Sequence, residues 1–107
     1  MTMPPRDNEG YLENPQDWTA EIGEALASEM GISLNEEQWQ VIRFVRTHFE
    51  NTQTVPEARL MLRYMKEEMG EDKGTRKYLY HLFPHGYAQT ACKFAGMRKP
   101  LKLMLDV

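Results

Sequence analysis

One cysteine, Cys92, is the most chemically suggestive residue in the chain. A thiolate is the nucleophile of sulfur chemistry, and a neighbouring cation or a helix N-terminus lowers the pKa of a thiol. Lys93 follows Cys92 directly, so one reading makes Cys92 a reactive thiolate and the sole catalytic candidate. The other reading follows from its neighbours Ala88, Ala91 and Ala95, among which a lone cysteine acts as a small buried hydrophobe. A single cysteine excludes an intrachain disulfide and a thiolate-built zinc site. His81 and His85 stand four apart, the spacing at which one helical face offers two metal ligands, but Pro84 lies between them and breaks that face. No metal site and no cofactor is expected. The sequence has no HExxH, no phosphate loop and no GxGxxG, and the run Glu67, Glu68, Glu71 and Asp72 reads as a solvated face rather than an acid–base pair. A hydrolase reading has nothing specific behind it, and no independent enzyme is expected.

The elements that must position Cys92 read almost entirely as helix. Asn14 and Pro15 suit a cap and first turn, and Trp18, Ile22, Ala25, Leu26 and Met30 then recur at helical spacing until Gly31. Glu36 and Glu37 favour a second helix N-terminus, with Trp39, Ile42, Phe44, Val45 and Phe49 as its stripe and an end near 51–53. Pro56 opens a third helix with Leu60, Met61, Tyr64, Met65 and Met69, and Gly70 closes it. After a charged turn, a short helix contains Tyr78, Leu79 and Leu82, and Pro84 with Gly86 interrupts the chain. A last helix over Tyr87 to Ala95 ends at Gly96 as a C-cap. The expected fold is mainly α, a bundle of about five helices with at most a short N-terminal β-element near 8–13, followed by an arm over residues 97–107. Trp18, Trp39, Phe44, Leu62 and Leu79 are expected in the core.

At 107 residues the chain has the size of one domain, and 41% hydrophobic with 27% charged residues is an ordinary globular composition. No apolar run is long enough to cross a bilayer and the N-terminus lacks the pattern of a signal peptide, so a cytoplasmic monomer with no membrane contact is expected. The net charge of −3 hides an asymmetry. Residues 1–72 carry six Lys or Arg against fifteen Asp or Glu, whereas 73–107 carry seven basic groups against Asp106 alone. The tail cations Arg76, Lys77, Lys93, Arg98, Lys99 and Lys102 therefore form a candidate surface for an anionic partner, whether an acidic protein surface, a nucleic acid or an anionic cofactor.

The stretch YLYHLFPHG at 78–86, followed by Ala91, Cys92, Lys93, Ala95, Gly96, Lys99 and Pro100, closely resembles the C-terminal signature of the DsrC/TusE family of sulfur-relay proteins. Gly10, Tyr11, Leu12, Trp18, Gly31, Ile32, Trp39, Arg43, Phe44, Arg46, Pro56 and Arg59 fall in the same order as in that family. The resemblance implies a small helical domain over 1–107, an N-terminal β-hairpin and a C-terminal arm that enters a partner, with a cysteine near the arm's tip carrying sulfur. DsrC proteins act with dissimilatory sulfite reductase and TusE proteins with a relay for tRNA 2-thiolation. Cys92 matches the second cysteine of DsrC proteins, eleven positions upstream of the tip. Leu103 stands where the tip cysteine would be, and Tyr87 and Arg98 stand where the family usually has proline.

Three functions stay open. The first is a binding or regulatory partner of sulfur-transfer or sulfite reductase machinery that does without thiol chemistry. The second is a persulfide carrier using Cys92 alone, which requires an exposed thiolate. The third is a nucleic-acid-binding regulator using the basic tail, against which the acidic front counts. The apolar arm ending, Leu101, Leu103, Met104 and Leu105, is expected to pack, either onto the body or into a partner.

Overall fold

The structure, a computed structural model, describes residues 3–98, apart from the side chains of residues 88 and 89. Four α-helices build it: α1 (Ala20–Glu29), α2 (Glu36–Thr52), α3 (Ala58–Met69) and α4 (Arg76–Leu82). A wide π-helical turn, Ala88–Cys92, stands where a regular last helix was expected. Among the described residues no helix is long and apolar enough to cross a membrane.

The expected first helix divides in two. Asn14 accepts from the Gln16 amide and Pro15–Asp17 makes one tight 3-10 turn, but Trp18 is extended at φ −73° and ψ 140°, and Thr19 caps α1 anew. Gly31, at φ +74°, then ends the region as expected. Helix α2 begins with a capping box, in which Asn35 Oδ1 accepts from the Gln38 amide at 2.8 Å and Gln38 Oε1 accepts from the Asn35 amide at 2.9 Å. Pro56 is not the first turn of α3. It is buried two residues earlier, and Glu57 holds the cap position in extended backbone.

Near the N-terminus the β-element reduces, among the described residues, to one antiparallel bridge, Arg6 to Leu12. The Asp7 carboxylate shapes the turn between them by accepting from the Glu9 and Tyr11 amides at 2.8 and 3.0 Å.

A single core unites Leu12, Ile22 and Leu26 with Val41, Ile42 and Val45 of α2, Met61 and Met65 of α3, Leu79 and Leu82 of α4, and Phe94 and Ala95 of the last turn. Leu79 is buried as expected, whereas Trp18, Trp39, Phe44 and Leu62 are only partly buried at its margin. Their polar neighbours give the physical reason for three of them. Trp18 lies 5.0 Å under the Arg46 guanidinium and Trp39 lies 5.9 Å under that of Arg43. Phe44 stacks on Tyr64 at 4.2 Å instead of inserting.

Candidate functional site

The π-turn carries Cys92 into the middle of the core. The Cys92 amide donates to the Tyr87 carbonyl oxygen at 3.2 Å, and Thr90 Oγ1 donates back to the Gly86 carbonyl oxygen at 2.6 Å, so both of these buried donors are satisfied locally. Cys92 has no solvent exposure, and neither have Thr90, Ala91, Phe94 and Ala95 around it.

Tyr87 forms the wall beside the thiol. Its ring is buried and its hydroxyl donates to the Pro56 carbonyl oxygen at 2.9 Å, which fixes the buried Pro56 as its anchor point. Burial pushes the Cys92 thiol up to about 12, and a hydrogen bond with Tyr87 offsets this only in part. A shift in that direction is opposite to the lowering expected from Lys93. The reason is geometric: the Lys93 ammonium lies 5.4 Å from the centre of the Tyr11 ring, against the N-terminal turn, and the thiol is shut off from the solvent that would stabilise a thiolate.

Downstream of Cys92 the exit toward residues 99–107 is tightly tied, and Met97, expected as the first residue of the arm, is still buried in the core. Gly96 at φ +84° closes the last turn, with its amide bonded to the Lys93 carbonyl oxygen and the Met97 amide to that of Cys92, both at 3.0 Å. A Cβ at Gly96 would fall 2.6 Å from Trp18 Cδ1, so the indole can cover the exit only because residue 96 has no side chain. The indole N–H donates to the Phe94 carbonyl oxygen at 2.6 Å.

Arg46 reaches the same exit from α2. Its Nη1 donates to the carbonyl oxygens of Pro15 at 2.7 Å and Ala95 at 3.3 Å, and its Nε to Glu50 at 3.0 Å. Side-chain spacing alone does not reveal this role. The signal available was an arginine inside an otherwise apolar helical stripe, between Val45 and Phe49.

The tail cations do not converge on one spot among the described residues. Arg76 and Lys77 are exposed on α4, next to the start of α2, where Lys73 bonds Glu37 at 2.7 Å and the Tyr78 hydroxyl also donates to Glu37. Those two hydrogen bonds hold the Glu37 carboxyl below its ordinary value. Lys93 and Arg98 instead sit against the N-terminal turn, where Arg98 Nη1 donates to the Glu13 carbonyl oxygen at 3.4 Å. Lys99 and Lys102, with Leu101, Leu103, Met104 and Leu105, lie outside the described residues. His81 and His85 are exposed, and among the described residues no three His, Cys, Asp or Glu side chains gather as a metal set.

Comparison with known proteins agrees with this architecture. The chain matches the family described as DsrC like protein over residues 2–104. It is 44% identical over 96 residues to sulfurtransferase TusE of Yersinia pseudotuberculosis, covering 90% of this chain and 89% of the relative. The corresponding protein of Escherichia coli is 43% identical, covering 90% and 88%. Among solved structures, the oxidized gamma-subunit of dissimilatory sulfite reductase (DsrC) from Archaeoglobus fulgidus superposes with a TM-score of 0.85 at 35% identity, covering 91% of this chain and 89% of that one. DsrC of Allochromatium vinosum gives 0.79 at 41% identity, covering 89% and 85%. The matched region contains Cys92, the π-turn that buries it and the Trp18–Arg46 tie at the exit, and the chain belongs to the DsrC-like family of sulfur-relay proteins.

Proposed function

We propose that this chain serves a sulfur-relay or sulfite reductase system as a docking and regulatory protein, and that it does so without thiol chemistry. The observation that carries the reading is the closure of Cys92: the one thiol of the chain is fully buried, and burial holds it protonated. Nucleophilic attack on a persulfide needs a thiolate within reach of the donor. Leu103, where the family's tip cysteine would stand, offers no second sulfur.

What remains for function is shape and charge. The body has the DsrC-like fold, the Trp18–Arg46 tie fixes its last described turn, and Lys93 and Arg98 lie at that turn, with Lys99 and Lys102 following in the chain. The relatives are a sulfurtransferase and the gamma-subunit of dissimilatory sulfite reductase, so the partner is a protein of such a system. Cationic groups around the exit would speed encounter with an acidic partner surface, an effect that salt screens.

Calorimetric titration of the full chain into dissimilatory sulfite reductase and into a sulfur-donating relay protein tests this. Saturable binding to one of them, unchanged in Cys92→Ser and weakened in the triple variant Lys93→Glu, Lys99→Glu, Lys102→Glu at low salt, is the expected result. Binding that disappears in a folded Cys92→Ser protein would transfer the role to a Cys92 persulfide carrier. Absence of binding to either protein would overturn the docking reading.

A further inference from the structure

Helix α3 carries its charges in the order that its own dipole disfavours. Arg59 and Arg63 stand in its first half, toward the positive end, and Glu67 and Glu68 stand in its last turn, at the negative end. All four are exposed. The two arginines are also four residues apart, a like-charge spacing that destabilises a helix, and Arg63 precedes Glu67 in the less favourable orientation for a pair. Among the described residues none of the four forms an ion pair, whereas Lys66, the other exposed charge on this helix, pairs with Glu71 at 4.0 Å.

The same side of the helix has an aromatic floor. Phe44 of α2 and Tyr64 of α3 stack at 4.2 Å with 20° between their planes, and both are only partly buried. With Leu60, Arg63, Glu67 and Glu68 they line an open hollow of about 260 Å³ on the α2–α3 face. A purely acidic or purely basic occupant would be repelled at one end of this face, and an extended phosphate chain would meet Glu67 and Glu68. The occupant that fits carries both signs of charge in the reverse order around an apolar centre. A second copy of α3 laid antiparallel on the first does this, because two-fold symmetry sets the arginine end of each copy against the glutamate end of the other. Its dipole also runs the opposite way, so the charges that each helix opposes in itself suit its neighbour.

We propose that two copies of this chain associate face to face through α3, forming a weak dimer in place of the monomer expected from the sequence. Tyr64 of each copy lies near the two-fold axis over the aromatic floor, and Arg59 and Arg63 of each copy reach Glu67 and Glu68 of the other. A shallow crossing of about 20° keeps both charged ends in register along a helix of 12 residues, about 18 Å. Glu57, at the cap position, is outnumbered at its end by the two arginines. One helix face of this length covers less than the roughly 800 Å² per partner of a stable complex, so the dimer forms only at high concentration. Lys93 and Arg98 do not line this face, and the dimer is independent of the docking role proposed above.

Sedimentation velocity of the full chain from roughly 10 μM to 1 mM tests this, a range suited to weak association. The weight-average mass should rise toward that of a dimer, and less so at high salt. In the isotopically labelled chain, amide shifts that change with concentration should centre on 40–47 and 59–68. The pair Arg59→Glu, Arg63→Glu makes the face wholly acidic and the pair Glu67→Arg, Glu68→Arg makes it wholly basic, so each variant alone should stay monomeric. Mixed in equal amounts the two should associate again, which a variant that had merely lost its fold would not do. A parent that remains monomeric at about 1 mM would overturn the dimer. Association that survives both charge reversals, folded variants that fail to associate when mixed, or concentration-dependent shifts centred elsewhere would overturn it equally.

Discussion

The indole N–H of Trp18 donates to the Phe94 carbonyl oxygen at 2.6 Å across 76 residues of sequence, and the same indole covers Gly96. This one relationship ties the segment just before α1 to the last turn of the described chain. A side chain at 96 would have to occupy the space of the indole, in a backbone conformation that L-residues rarely adopt. Gly96→Ala should therefore destabilise the fold by about 2 to 4 kcal/mol, combining backbone strain and overpacking. Urea denaturation measures this, and a loss below about 0.5 kcal/mol would mean that the exit is loosely packed.

Arg46 supplies the second tie. Replacing it by methionine keeps much of the aliphatic stem against Trp18 and Phe49 but leaves the Pro15 and Ala95 carbonyl oxygens without their charged donor. A loss of about 1.5 to 3 kcal/mol is expected, as for hydrogen bonds to a charged group. Hydrogen exchange should also rise selectively at 94–97.

Stability should respond to pH at both ends of the scale, with opposite signs. The Glu37 carboxyl is held below its ordinary 4.5 by hydrogen bonds from Lys73 and Tyr78, so its contribution is present above that value and is lost as pH falls through the lower folded value. The difference in stability between the parent and Glu37→Gln should shrink toward zero on acidification.

Cys92 behaves in the opposite way. Its thiol is raised from 9.0 to about 12, so the contribution is complete below pH 9 and is lost as pH rises toward 12. Relative to Cys92→Ala, the parent should lose about 1.4 kcal/mol per pH unit across that window. Parallel curves for the two proteins would show that the thiol ionises as freely in the folded chain as in the unfolded one.

Trp39 tests the margin of the core. A fully packed tryptophan costs about 3 to 5 kcal/mol when truncated to alanine. Trp39 is only partly buried beneath Arg43, so Trp39→Ala should fall below that range in a denaturation experiment.

Much of this fold was legible because glycine and helical spacing are local signals. Gly31, Gly70 and Gly96 end their elements with positive φ, as their positions after apolar stripes suggested. The misreadings came from long-range contacts. Trp18 fits the spacing of the first helix, yet its hydrogen bond to residue 94 draws it out into extended backbone. Pro56 suits a helix start, but the Tyr87 hydroxyl claims its carbonyl oxygen and the helix begins later. The regular last helix expected over 87–95 widens into a π-turn, with the Cys92 amide bonded five residues back. Of the two readings of Cys92, the alanines around it pointed to the buried one. Lys93 pointed the other way, because adjacency in sequence does not reveal that its ammonium lies against Tyr11.

If the single thiol takes no part in function, as proposed, intact mass after exposure to inorganic polysulfide will show it. Parent and Cys92→Ser proteins would be compared in native buffer and again in denaturant. No added sulfur is expected on either native protein, and a gain of sulfur, reversed by reductant, is expected on the parent only once it is unfolded. A rapid, reductant-reversible gain of one sulfur on the native parent, absent from Cys92→Ser, would contradict it and make Cys92 a carrier.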